Sequence, residues 1–388
     1  MIPLSVPNLR GNEKKYILDA LDSGWISSSG TYVARFEQDM ASYLKVSGVA
    51  AVQSGTSAIH LALLLSGVTQ GQEVIVPTLS FIASVNPAAY TGAVPVFMDC
   101  DDSLNMDCDK LEDFLKKECI ITTSGLVNKR TGRLIKALVV VHIFGNMADM
   151  ERLKALSEQY NFQIIEDAAE ALGTCYKQGK YSGQFAGTIG DFGAYSFNGN
   201  KIITTGGGGM LTAKNSNSLE KARYLAAQAK DDPLYYIHKE IGYNYRMTNL
   251  QAAMGVAQLE CLEDFIRIKE TNYEYYKNAI KEMERFELLP FNQKARNNQW
   301  FYSLLIKSKG PDRDTVMKLL KEKDIETRPI WQLIHTQKMY ENCQTYYIEK
   351  APLYWKRIIN IPCSTGLLKK DLDHVIEALS CISSLKEG

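Results

Sequence analysis

The sequence predicts an α/β fold: a mostly parallel sheet with helices on both faces, followed by a smaller α+β unit. Three observations carry this reading. Short apolar runs recur through the first two thirds of the chain, helical patterns lie between them, and the texture changes after Asn249. Runs of Val, Ile and Leu without polar alternation are how strands buried on both faces read. Strand–helix alternation implies right-handed crossovers and therefore parallel pairing.

Seven runs are strand candidates: 49–52, 73–76, 95–98, 137–142, 163–166, 193–197 and 208–212. The last two sit close together and are expected as antiparallel additions. Helical patterns cover 57–65, 81–90, 110–117 and 150–160. A single long helix is expected over 250–283, where only Gly255 interrupts the pattern. Beyond it come a strand at 300–306, a helix at 313–321, a short strand at 325–328 and a closing helix at 370–379. The division expected is a large domain over 1–249 and a connecting helix with a small domain over 250–388, the N-terminal segment packing on the latter.

Lys plus Arg and Asp plus Glu are both 44, so the net charge is zero and no basic stripe points to nucleic acid. No apolar run approaches the ~20 residues that span a bilayer, so no membrane insertion is expected. Met1-Ile2-Pro3-Leu4 does not read as a basic-then-apolar leader. The eight cysteines form no Cys-x-x-Cys pair, so neither a zinc site nor a disulfide framework is read. Reduced thiols in the cytoplasm are expected.

Three segments carry candidate chemistry. Ser54-Gly55-Thr56-Ser57 follows the first strand candidate and opens a helix. Free N–H groups and the dipole at a helix start favour an anion, and glycine lets the backbone approach a phosphate. An ordinary capped helix uses the same residue types. In Ile164-Ile165-Glu166-Asp167-Ala168-Ala169-Glu170, two carboxylates end an apolar strand. Such strand ends face the ligand crevice of an open α/β sheet, so a carboxylate there can meet a cationic ring atom, or simply cap the next helix. In Ser196-Phe197-Asn198-Gly199-Asn200-Lys201, with glycines at 206–209, one Lys sits in a turn between two strand candidates. Partial burial makes such an amine a usable nucleophile. The Lys precedes the glycines, so the run is not a GxxxxGK[ST] phosphate loop, and no GxGxxG opens a helix. A phosphate cradle, a strand-end carboxylate and a later Lys together are what pyridoxal phosphate requires.

With Gly24-Trp25-Ile26-Ser27, Phe81-Ile82-Ala83 and Asn244-Tyr245-Arg246-Met247, these motifs resemble the DegT–StrS family of nucleotide-sugar aminotransferases over nearly the whole chain. The resemblance implies the fold type I aminotransferase architecture, with a seven-stranded sheet in the large domain. It implies pyridoxal 5′-phosphate as cofactor, Lys201 as its Schiff-base lysine and proton shuttle, and Asp167 as partner of the pyridine nitrogen. Phe81 matches the ring-stacking aromatic, and Gly55, Thr56 and Ser196 match phosphate-binding positions. Asn244 matches an Asn that reaches the neighbouring subunit's phosphate, which implies a homodimer with shared sites. Glu170 matches a position near the cofactor or the sugar, and no metal is implied.

Asn198-Gly199-Asn200-Lys201, the glycine run and Glu326-Thr327-Arg328-Pro329 resemble the branch acting on UDP-linked 4-keto-6-deoxy-N-acetylhexosamines of the bacillosamine and legionaminic type. The implied reaction moves an amino group from glutamate to carbon 4 of that sugar, for a surface glycan or glycoprotein. Position 207 is Gly where many relatives carry Glu, and Lys201 excludes the dehydrase subgroup that has His there. His142 reads as a satisfied core or crevice histidine. Trp331 and His335 are candidates for the sugar pocket or for a packed surface, and Tyr235, Tyr236, Tyr243 and Tyr245 for base stacking or a subunit interface. Rival readings are a GDP- or dTDP-linked keto sugar, a non-catalytic binding or regulatory protein on the same fold, and a nucleotide-dependent oxidoreductase using the glycine run.

Overall fold

The computed structural model describes residues 1–307 and 310–385. All seven expected strands form: β1 (Val49–Val52), β2 (Glu73–Pro77), β3 (Val94–Met98), β4 (Ile135–Val141), β5 (Gln163–Asp167), β6 (Phe192–Ser196) and β7 (Gly209–Ala213). An eighth, β8 (Gln344–Tyr346), completes the sheet in the order β1-β7-β6-β5-β4-β2-β3-β8. The seven-strand expectation lacks β8 because its three residues carry no apolar run. Parallel pairing to the free edge of β3 holds it in place.

Only β7 runs against its neighbours, between β1 and β6. The expectation that 193–197 is also antiparallel is corrected, since β6 pairs parallel with β5. The chain from 168 to 191 is long enough for the crossover that a parallel pair needs. Both faces of the sheet are covered. Val52, Val74, Val76, Ile165 and Leu211 lie in one apolar core with the helix Gly55–Leu65, and Ile75, Val96, Leu138, Val140 and Ile164 lie in a second.

The expected helix over 81–90 is two pieces, a 3₁₀ turn at Ile82–Ser84 and a helix at Asn86–Tyr90. Pro87 has no N–H to continue the ladder across them. The single helix expected over 250–283 is also two, Asn249–Leu259 and Leu262–Ile280. No Gly or Pro marks the break. Instead Glu260 is pinned from the side by Asn12, Tyr16 and Arg35, and the second helix leaves to pack on the closing helix Lys369–Ser383. A four-stranded antiparallel sheet (Phe286–Leu288, Tyr302–Ile306, Ile358–Ile361, Arg328–Pro329) fills the C-terminal part. The N-terminal segment packs there: Ile2 pairs with Ile325, and Cys363 N–H donates to Leu4 O at 2.8 Å. Among the described residues no helix is long and apolar enough to cross a membrane.

Register gathers the strand ends. Val52 lies opposite Gly209, Gly209 opposite Ser196, and Asp167 opposite Ala194. The turns after β1, β5 and β6 therefore open on one crevice.

Candidate active site

Successive strand residues face opposite sides, so Glu166 takes the side of Ile164 and Asp167 that of Ile165. Glu166 is fully buried. It accepts from His142 Nε2 (2.8 Å) and from the N–H groups of Gly187 (2.8 Å), Ile189 (2.6 Å) and Gly190. His142 Nδ1 accepts from Ala148 N–H at 3.2 Å, which leaves the ring proton on Nε2. His142 is a satisfied core histidine. Asp167 instead turns into a cavity of about 340 Å³, the size of a small-molecule pocket. Its Oδ2 accepts from Ser84 Oγ (2.6 Å) and its Oδ1 from Ala169 N–H (3.0 Å). Each oxygen keeps acceptor capacity.

Ser54 caps the helix Gly55–Leu65, its Oγ accepting from Ser57 N–H at 3.0 Å. Gly55 and Thr56 occupy the first turn and line the cavity with Ser196. A Cβ on Gly209 would fall 2.3 Å from the Ser54 carbonyl carbon, and one on Gly55 would fall 2.9 Å from Ser196 Cβ. Glycine at both positions lets β7 and β6 press against the helix start, which draws the cradle together.

Lys201 follows β6 in a turn closed by its N–H to Asn198 O at 3.0 Å. Its side chain is 12% exposed, and its Nζ lies 4.0 Å from the Trp300 ring centroid and 3.6 Å from Glu170 Oε1. Glu170 Oε2 accepts from Phe144 N–H at 2.7 Å. Burial pushes the Glu170 carboxyl up to about 7, against the opposing pull of Lys201.

Phe81 is half exposed and lines the cavity with Trp331, the two rings 6.1 Å apart. One cavity therefore holds Gly55, Thr56, Phe81, Asp167, Glu170, Ser196 and Lys201. Asn244 lies outside it, exposed, with its Oδ1 accepting from Gln228 Nε2 at 3.1 Å. His335 is also outside, its Nδ1 2.5 Å from Thr78 Oγ1 and its ring against Phe97. Tyr243 and Tyr245 stack at 5.0 Å beside His60, while Tyr235 and Tyr236 stand 72% and 71% exposed. Sequence reasoning missed Ser84 and Trp300. Ser84 follows Phe81 by three residues at the mouth of the crevice, a signal that could have been read. Trp300 carried none. A larger cavity of about 430 Å³, lined by Glu37, Arg223 and Arg246 among others, contains none of the predicted site residues.

The groups present fit pyridoxal 5′-phosphate: N–H donors at a helix start for the phosphate, a buried carboxylate for a ring N–H, an aromatic at the rim and an amine between them. Fold and site together define the class, a cofactor-dependent aminotransferase of α/β architecture. Residues 7–380 match the DegT/DnrJ/EryC1/StrS aminotransferase family, and the chain belongs to it. EpsN of Bacillus subtilis (strain 168) is 39% identical over 383 residues, covering 97% of this chain and 95% of that protein. GDP-perosamine synthase of Escherichia coli O157:H7 is 37% identical over 379 residues, 98% of each. The crystal structure of a DegT DnrJ EryC1 StrS aminotransferase from Brucella abortus superposes with a TM-score of 0.87 at 26% identity, over 96% of each chain. The chain is a sugar aminotransferase, and its cofactor is pyridoxal 5′-phosphate.

Proposed function

We propose that this enzyme moves an amino group from glutamate to carbon 4 of a nucleotide-linked 4-keto-6-deoxyhexose, with a GDP-linked sugar as the favoured substrate. The convergence of Lys201, Asp167 and the Ser54–Thr56 and Ser196 cradle in one cavity carries this reading. When bound, the cofactor supplies an electron sink for the carbon that loses or gains a proton. The helix start and Ser196 would donate to its phosphate. Asp167, held by Ser84 and Ala169, would accept the ring N–H and so favour a protonated ring. Phe81, on the cavity lining, would cover a ring face. Lys201 Nζ takes the proton from one carbon and returns it to another, as general base and then general acid. Trp300 against the Lys201 side chain restricts its swing and excludes water. Donor product leaves before the sugar enters.

The resemblance to a GDP-perosamine synthase supports the GDP carrier. The motifs around Lys201 favour the second reading, a UDP-linked N-acetyl sugar. Under either carrier, residues 1–249 are the cofactor-binding domain and 250–388 the connecting helices and the smaller domain. A second copy of the chain completes each site. Asn244 is exposed and outside its own cavity, and Leu234, Tyr235, Tyr236 and Ile241, just before it in sequence, are exposed apolar residues. The eight cysteines are all unpaired, in keeping with a cytoplasmic enzyme.

The test supplies ¹⁵N-glutamate with either a GDP-linked or a UDP-linked 4-keto-6-deoxy sugar and reads the product by mass spectrometry. Label in the GDP-sugar is the expected result. Label in the UDP-sugar alone supports the second reading, and label in neither overturns the proposal.

A further inference from the structure

We propose that Glu170 is a positioning residue for the reacting amine: fixed by the Phe144 N–H, it shares one proton with Lys201 and decides whether that amine stands neutral or as an ammonium. The proposal rests on Lys201 being the cofactor's lysine.

The two carboxylate oxygens of Glu170 have different duties. Oε2 is held by Phe144 N–H at 2.7 Å, and Oε1 faces Lys201 Nζ at 3.6 Å. The donor that fixes Oε2 comes from a strained turn, because Phe144 sits at φ 55°, ψ 21°, a conformation unfavourable for a bulky side chain. Strain of this kind persists where surrounding structure over-determines it, and it clusters at functional sites. Asn298 supplies that structure. Its Nδ2 donates to Glu170 O (2.8 Å) and Leu172 O (2.9 Å), and its Oδ1 would stand only 1.8 Å from a Cβ on Gly145, the residue after Phe144. The turn and the Glu170 loop are therefore locked as one piece. Phe144 also stacks on Trp331 at 4.9 Å, so the same turn supports the cavity wall.

A buried carboxylate is costly unless compensated, and Lys201 is the cation beside it. Lys201 Nζ in turn lies 4.0 Å from the Trp300 ring centroid. Asp167 is the other charged group acting on Glu170, and it opposes a second negative charge. An ion pair and a neutral acid–amine pair are thus both accessible. The step is a single proton transfer: the Lys201 ammonium gives its proton to the Glu170 carboxylate, leaving a lone pair on Nζ and a carboxylic acid.

The test uses cofactor-free protein. Lys201 is acylated with trace acetic anhydride across a pH series, and the labelled peptides are read by mass spectrometry against exposed Lys14. Coupled groups titrate in two steps, so the wild-type Lys201 curve has two, and a single step overturns the proposal without any variant. Removing an opposite charge this close shifts an amine by about one unit or more. Glu170→Gln should therefore collapse the Lys201 curve to one step, with its midpoint below the upper wild-type step. An unchanged midpoint in a folded Glu170→Gln protein, with Lys201 still trapped by borohydride in the holoenzyme, overturns this inference alone. Failure to trap Lys201 in wild-type holoenzyme overturns the site reading on which it rests.

Discussion

Neighbouring carboxylates at the end of β5 have opposite fates, and Glu166→Gln separates them. Glu166 accepts four hydrogen bonds, two on each oxygen: His142 and Gly187 on Oε2, Ile189 and Gly190 on Oε1. An amide in that place has one oxygen and one NH₂ group. Whichever way it turns, the NH₂ faces two buried donors that lose their acceptor. Each unsatisfied buried donor costs about 1–3 kcal/mol, so the change costs about 2–6 kcal/mol. That is a large part of the roughly 5–15 kcal/mol that keeps a protein folded. Urea unfolding followed by circular dichroism, on cofactor-free protein, reads the loss as a lower midpoint. Cofactor affinity of the folded fraction should hold, because Glu166 faces away from the cavity. An unfolding free energy within about 1 kcal/mol of wild type would refute the hydrogen-bond argument.

Other substitutions probe the cavity. Asp167→Asn should leave the urea midpoint near wild type and lower kcat on the order of a hundredfold, as loss of one preorganised charge contact does; a rate within threefold of wild type, by glutamate half-reaction kinetics, would count against its role. Gly209→Ala puts a Cβ 2.3 Å from the Ser54 carbonyl carbon and should weaken cofactor binding more than about tenfold by fluorescence titration; unchanged affinity would separate the cradle from the phosphate. Glu170 is raised from 4.5 to about 7 by burial, so the folded state holds the proton more tightly and stability falls as pH rises from about 4.5 to about 7. Glu170→Gln should remove that part of the fall, and a wild-type minus variant difference that stays flat across the window would contradict the assignment. Mixed dimers of Lys201→Ala and Asn244→Ala protomers should recover activity that neither has alone; confirmed heterodimers without recovery would exclude a shared site.

Much of this was legible because the informative segments are local. The helix start at Ser54–Ser57, the strand end at Glu166–Asp167 and the turn at Lys201 each follow an apolar run that reads as a buried strand, and the sheet register brings them together. What was not legible depends on tertiary contact. The break at Glu260 comes from side chains about 225 to 250 positions away, so no local residue announces it. Strand β8 is three residues long and exists through the edge of β3. Trp300 starts a segment that reads simply as a strand, and its place against Lys201 follows from the C-terminal part folding back. The different duties of Glu166 and Asp167 follow from strand parity, which the sequence contains once the strand is granted.

Borohydride trapping of the holoenzyme, before and after glutamate, tests the central claim most directly. The holoenzyme should be yellow, bleach with glutamate and, when reduced beforehand, carry the cofactor on the Lys201 peptide. Cofactor trapped on another lysine, such as Lys214 or Lys269, or a protein that takes up no cofactor, would contradict that claim.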